Sequence, residues 1–334
     1  MTTETRAPIG VLLMAYGSPN SLDEVLPYYT DVRGGHAPSP EHLAVVYDHY
    51  ARVGGSTGLL AISEAQVAAL QARLDAAAPG AYRVYLGMRH WRPFIADTVR
   101  QMAADGVCEA VGIVLAPHDS RISVGGYIAK VEAALAQERA AQADTQTDAS
   151  DAATPAIHFT FARSWHVDPH FLQLLTARIV SAREQAFAPD ERDTLYVIFS
   201  AHSLPQRVLT WNDPYPQQLR ETVAGVTALL GLDESRWTLA YQSAGRTDEP
   251  WLGPTALEVL PQLAARGVRS ALICPIGFIS DNLEILYDVD IDAREHAARA
   301  GIHLERIAMP NADPLLIEAL ASVTEQATRA GASA

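Results

Sequence analysis

The chain has 334 residues, 49% of them apolar and 19% charged, which is more than one ordinary domain and enough to fill a sizeable core. Its 25 basic and 39 acidic side chains leave a net charge of −14, which argues against nucleic acid, because phosphate binding needs clustered Lys and Arg. No apolar run approaches the roughly 20 residues of a membrane-spanning helix. The two cysteines, Cys108 and Cys274, form no Cys-x-x-Cys pair and read as inert buried thiols in a reducing cytoplasm.

The first apolar run, GVLLMAYGSP (10–19), follows no basic leader and carries no small-residue cleavage site, so it reads as a buried strand. YRVYLGM (82–88), EAVGIVLAP (109–117) and IHFTFARSW (157–165) follow, separated by Ala/Leu-rich stretches of helical period. A second set comprises LYVIFSAHSLP (195–205), WTLAYQS (237–243), SALICPIG (270–277) and IHLERIAMP (302–310). Short apolar runs alternating with helices are the signature of parallel sheets buried on both faces.

The two sets correspond member by member. Each third run follows Gly-Val (106–107 and 267–268), and each fourth is followed by Asp-Pro (168–169 and 313–314). Asp as N-cap with Pro at the first helical position is a strong helix start. The pattern predicts an internal duplication: two Rossmann-like α/β halves, 1–188 and 189–334, each a four-stranded parallel sheet flanked by helices. Terminal helices are free to cross between the halves. Residues 136–155, polar and Ala-rich, read as a flexible insertion.

Loops at the carboxyl ends of parallel strands line the cleft between such halves. Tyr16, His90, His118, His202 and the run 280–292 therefore hold the chemistry-bearing positions. In SAHSLP (200–205), His202 follows an apolar strand directly; it is either a proton-transfer group or a loop histidine bonded for structural reasons. In the run 281–292, DNLEILYDVDID, a helix would set Glu284, Asp288 and Asp292 on one face, suited to a loosely held divalent cation. The same run also fits a solvated acidic face or an alternating strand. GGSTG (54–58) satisfies the G-x-S-x-G of serine hydrolases, but the buried strand that such an elbow requires does not precede it.

Taken together, MAYGSP (14–19), YYTDVRGG (28–35), VLAPH (114–118), SAHSLP (200–205), DPYP (213–216), PWLGP (250–254) and SDNLEILYDVD (280–290) resemble the ferrochelatase family over nearly the whole chain. The resemblance implies the chelatase fold and insertion of Fe²⁺ into a porphyrin. It places His202 and Glu284 facing each other across the tetrapyrrole cleft as catalytic residues and metal contacts. Asp288 and Asp292 continue an acidic row that delivers metal. Tyr16 resembles the tyrosine of the bacterial coproporphyrin branch, which can ligate the iron of the product.

In that branch Arg33, His49, Tyr50, Thr57 and Tyr127 fall at porphyrin-holding positions. His49 stands for an arginine and Thr57 for a serine, Asn282 replaces a frequent histidine, and HDSRISVGGY (118–127) departs from the usual pattern. The implied reading is a monomeric, cytoplasmic coproporphyrin III ferrochelatase without a permanently bound cofactor. Fe²⁺ and porphyrin are its substrates and iron porphyrin its product, with no nucleic-acid partner and no integral membrane segment. The alternatives are a protoporphyrin IX ferrochelatase, a cobalt or nickel tetrapyrrole chelatase, and a non-catalytic haem carrier.

Overall fold

The computed structural model describes residues 7–145, 157–245 and 247–332. Strands β1 (Ile9–Ala15), β2 (Tyr82–Met88), β3 (Glu109–Val114) and β4 (His158–Ala162) form one parallel sheet in the order β2-β1-β3-β4. Strands β5 (Tyr196–His202), β6 (Trp237–Gln242), β7 (Ser270–Pro275) and β8 (His303–Arg306) form the second in the order β6-β5-β7-β8. The second order repeats the first, as the matched apolar runs require. Most of the Ser- and Pro-bearing tails of the runs lie beyond the strands, and Pro275 ends β7, so all sit at the carboxyl edges of the sheets.

Alternation along each central strand explains why the runs are apolar without a break. Val11 and Leu13 point into one core with Val197, Phe199 and Ala201, so the sheets share an inner apolar layer. Leu12 and Met14 point outward onto Ile95, Val99, Met102 and Val131. Tyr196 and Ile198 likewise pack outward with Val259, Leu260 and Leu263.

Asp168 and Asp313 cap matching helices, Pro169–Ala186 and Pro314–Gly331, by accepting from the amides of His170 (2.9 Å) and Leu315 (2.8 Å). Both helices cross to the opposite half. Gly225, on the helix Tyr215–Leu230, lies so close to Leu172 that an added Cβ would meet it at 2.7 Å. Glu318 pairs with Arg73 of the helix Leu59–Ala77 at 2.7 Å, and Gly331 abuts Thr160 of β4. The halves are thereby strapped together, which fixes the relation of their two carboxyl edges.

Two expectations need correction. Residues 136–145 continue the helix Val124–Thr145, because an Ala- and Gln-rich stretch has high helix propensity even without an amphipathic period; residues 146–155 lie outside the described residues. Cys274 is fully buried, but Cys108 precedes β3 and is only partly covered. Residues 54–58 join the helices Pro40–Arg52 and Leu59–Ala77 with no strand before them, so the hydrolase elbow is absent. No helix among the described residues is long and apolar enough to cross a membrane.

Candidate active site

His202 closes β5, and Glu284 opens the helix that follows β7. Because β5 and β7 are neighbours in register, both side chains emerge at one sheet edge, with His202 Nε2 3.2 Å from Glu284 Oε1. The expectation that they oppose each other across the cleft is thus corrected: both belong to the C-terminal half and touch directly. The imidazole is oriented by its own loop, Nδ1 donating to the Ser203 carbonyl, while Tyr215 donates to the His202 carbonyl at 2.9 Å. Nε2 is left to face Glu284. Trp251 and Phe278 flank the ring at 6.4 Å each. Burial pushes the imidazole pKa down, but the charge and hydrogen bond of Glu284, the Ser203 carbonyl and the charge of Asp288 outweigh it, for a net rise above 6.5.

Glu284 to Ala293 is a π-helix, the resolution of the helix-or-strand ambiguity in the acidic run. Wide turns of this kind are rare and are frequent at functional sites. Its acids separate by environment. Glu284 meets His202, and Asp288 accepts from the Ser243 hydroxyl. Asp290 forms a two-point pair with Arg306 at 2.7 and 2.8 Å. Asp292 pairs with His296 at 3.1 Å. Burial raises the Asp288 carboxyl to about 6 despite the Ser243 bond, with Glu284 adding to the rise. Among the described residues no three His, Cys or acidic side chains converge as a metal cage.

The N-terminal half supplies the opposite wall. Tyr16 follows β1 and remains 44% exposed, open toward the cleft. Its hydroxyl is pushed up to about 12 by the surrounding protein first and by the charge of Glu284 next, with Arg89 opposing. The field of Glu284 also reaches Tyr28, Tyr29, Tyr50 and Tyr127, so the carboxylate looks onto a wall of aromatic rings. Tyr16 stacks obliquely on His90, with centroids 4.7 Å apart, and His90 Nδ1 donates to Asp31 at 2.9 Å. Gly17 allows this packing: its φ is +98°, and a Cβ there would meet the Trp91 amide at 2.8 Å.

The remaining expected residues divide. Arg33 is exposed after the helix Val25–Val32 and makes no ion pair among the described residues. Tyr50 and Thr57 are buried and hold Ser18, Thr57 donating at 3.0 Å and Tyr50 lying 3.3 Å away, so they brace the wall from behind. Tyr127 is buried beneath the Arg89 guanidinium. His49 stacks on Tyr287 of the π-helix at 3.6 Å, while Arg52 bonds the Tyr287 hydroxyl (3.1 Å) and Glu295 (2.9 Å). The departure at position 49 therefore joins a clasp between the halves. Sequence reasoning missed Arg89 and Ser243, and Asp31 was visible only as a member of the YYTDVRGG motif. Tyr215 and Trp251 were visible only as members of the DPYP and PWLGP motifs.

Surface hollows of about 510 Å³, beside Val223 and Trp237, and about 460 Å³, beside Arg178 and Asp290, contain neither His202 nor Glu284. Chemistry, not volume, locates the site.

The family model for ferrochelatase matches residues 8–328. The chain is 44% identical over 317 residues to a ferrochelatase of Herpetosiphon aurantiacus, covering 95% of this chain and 98% of the relative. It is 42% identical over 327 residues to a ferrochelatase of Deinococcus radiodurans, covering 98% of each. A coproporphyrin III ferrochelatase of Anoxybacillus flavithermus is 39% identical, over 94% of this chain and 95% of the relative. Among solved structures, SirB from Bacillus subtilis with Fe³⁺ aligns over 98% of both chains with a TM-score of 0.56 at 10% identity, a likeness of fold.

Proposed function

The chain belongs to the ferrochelatase family, and we propose that within it the protein inserts Fe²⁺ into coproporphyrin III. The observation that carries the mechanism is the His202–Glu284 contact on one wall with Tyr16 open on the other. The relatives at 42–44% identity carry the name ferrochelatase alone. The coproporphyrin assignment draws on Tyr16 in MAYG and on relatives named for that substrate at 37–39% identity.

Insertion requires the free-base ring to release two N–H protons while hydrated Fe²⁺ sheds water; iron porphyrin and two protons are the products. His202 Nε2 accepts a pyrrole proton, and Glu284 at 3.2 Å stabilises the imidazolium that results. Asp288, with its carboxyl raised to about 6, is a second acceptor one step further from the ring. Fe²⁺ approaches as substrate toward the carboxylate side, where the negative charge lowers the cost of dehydration. Tyr16 then ligates the iron of the product from the opposite wall. No permanently bound organic cofactor takes part, and a cytoplasmic monomer completes the reading.

The test is an anaerobic insertion assay with coproporphyrin III and protoporphyrin IX side by side, Co²⁺ and Ni²⁺ competing with Fe²⁺. Faster turnover of coproporphyrin with iron is expected. Preference for protoporphyrin overturns the substrate, and preference for another metal overturns the iron. Tight binding without insertion turns the reading to a carrier. Tyr16→Phe is expected to shift the visible absorption bands of the bound product, and an unchanged spectrum removes Tyr16 as a ligand.

A further inference from the structure

Arg89 is a cation without a counter-charge. It follows β2, and its amide donates to the Ala15 carbonyl at 2.9 Å, which sets it beside Tyr16 at the carboxyl edge of the first sheet. Several arginines of this acidic chain have carboxylate partners, such as Arg52 with Glu295, Arg73 with Glu318, Arg163 with Asp119 and Arg306 with Asp290, while others, Arg33, Arg121 and Arg266 among them, show no ion pair among the described residues. Among the described residues Arg89 has none. Its Nη1 reaches only the carbonyls of Ile122 and Ser123, at 3.4 Å each, and its Nε is buried with no hydrogen-bond partner.

The surroundings make room for the guanidinium without neutralising it. A Cβ on Gly126 would fall 2.5 Å from Cζ and Nη1, so the guanidinium packs directly on this glycine and a side chain there would displace it, and the group lies 5.3 Å from the Tyr127 ring centroid. This is also the first turn of the helix Val124–Thr145, where the positive end of the helix dipole lies, with the Gly125 and Gly126 amides donating to the Ser120 and Ser123 carbonyls. Lys130, the only lysine in the chain, stands about one turn further along that helix, exposed and without an ion pair among the described residues.

We propose that Arg89, assisted by Lys130, forms a carboxylate-binding subsite for an acidic side chain of the porphyrin on the Tyr16 side of the cleft, separate from Arg33. A guanidinium already half-buried over Tyr127 loses little on pairing with a carboxylate. The inference rests on the porphyrin-chelatase reading but not on which porphyrin is preferred.

The experiment follows porphyrin binding by fluorescence quenching in wild type, Arg89→Gln, Arg89→Lys and Lys130→Ala. The probes are coproporphyrin III and its uncharged tetramethyl ester in the same detergent buffer. Arg89→Gln is expected to weaken coproporphyrin binding about tenfold, Arg89→Lys to recover most of that loss, and Lys130→Ala to give a smaller one. Binding of the ester should be unchanged throughout. Equal loss of acid and ester in Arg89→Gln, or no loss of the acid, overturns the subsite. Should Arg89→Gln not fold, the Arg89→Lys and Lys130→Ala pair decides by the same acid-against-ester comparison. Wild type that inserts iron only into protoporphyrin IX fails the coproporphyrin assignment alone, and the variants are then read with that diacid and its dimethyl ester.

Discussion

His202→Ala lowers anaerobic iron insertion by about 10²-fold or more while porphyrin affinity stays within a few-fold of wild type. The imidazole is fixed on three sides: Nδ1 to the Ser203 carbonyl, its own carbonyl to Tyr215, and Nε2 to Glu284. Removing it deletes the proposed proton acceptor beside Glu284, yet the aromatic wall around Tyr16 is untouched. Single-turnover insertion and quenching titrations on the same preparation check both halves of the expectation. Near-normal turnover would take His202 out of the mechanism. The wild-type pH–rate profile gives a companion reading. A base works only when neutral, so insertion rises with pH through the limb set by His202. Burial lowers that pKa but Glu284 and its neighbours raise it further, so the limb lies above 6.5. In His202→Ala this limb disappears.

Arg306→Ala lowers stability by about 3 kcal/mol and disables insertion without touching a reacting group. Arg306 is 14% exposed and bridges Asp290, in a two-point pair, with Asp281 at 3.2 Å. Its removal leaves two mostly covered carboxylates unpaired at the base of the π-helix that carries Glu284 and Asp288. Asp281 is further locked to Asn311, its amide donating to Asn311 Oδ1 at 2.9 Å, so loss of the bridge propagates to the loop after β7. Chemical denaturation of the intact chain measures the stability change, and insertion assayed well below the unfolding midpoint measures the activity. An unchanged midpoint would show that the pair does not anchor the helix.

Much of the architecture was readable because its causes are local. Continuous apolar runs at β1, β3, β5 and β7 follow from burial on both faces, and Asp168-Pro169 and Asp313-Pro314 signal helix starts through bonds two residues long. The π-helix was not readable: 281–292 supports a helical face and a strand alternation equally. Its side chains find their partners far away in the chain: Asp290 on Arg306, Glu284 on His202 of β5 and Asp288 on Ser243 just after β6. The same holds for Tyr50 and Thr57, whose hydroxyls look available in sequence but are consumed by Ser18.

By itself, then, the chain's order of residues determined two repeated parallel sheets and the strand ends where chemistry had to gather. Only the tertiary structure decided which side chains meet there. It set His202 against Glu284 on one wall rather than across the cleft, moved His49 into a clasp with Tyr287, and left Arg89 uncompensated beside Tyr16. The reason is distance along the chain: strand and cap signals act over a few residues, whereas a charge is paired or left bare by neighbours that folding brings from tens to hundreds of residues away.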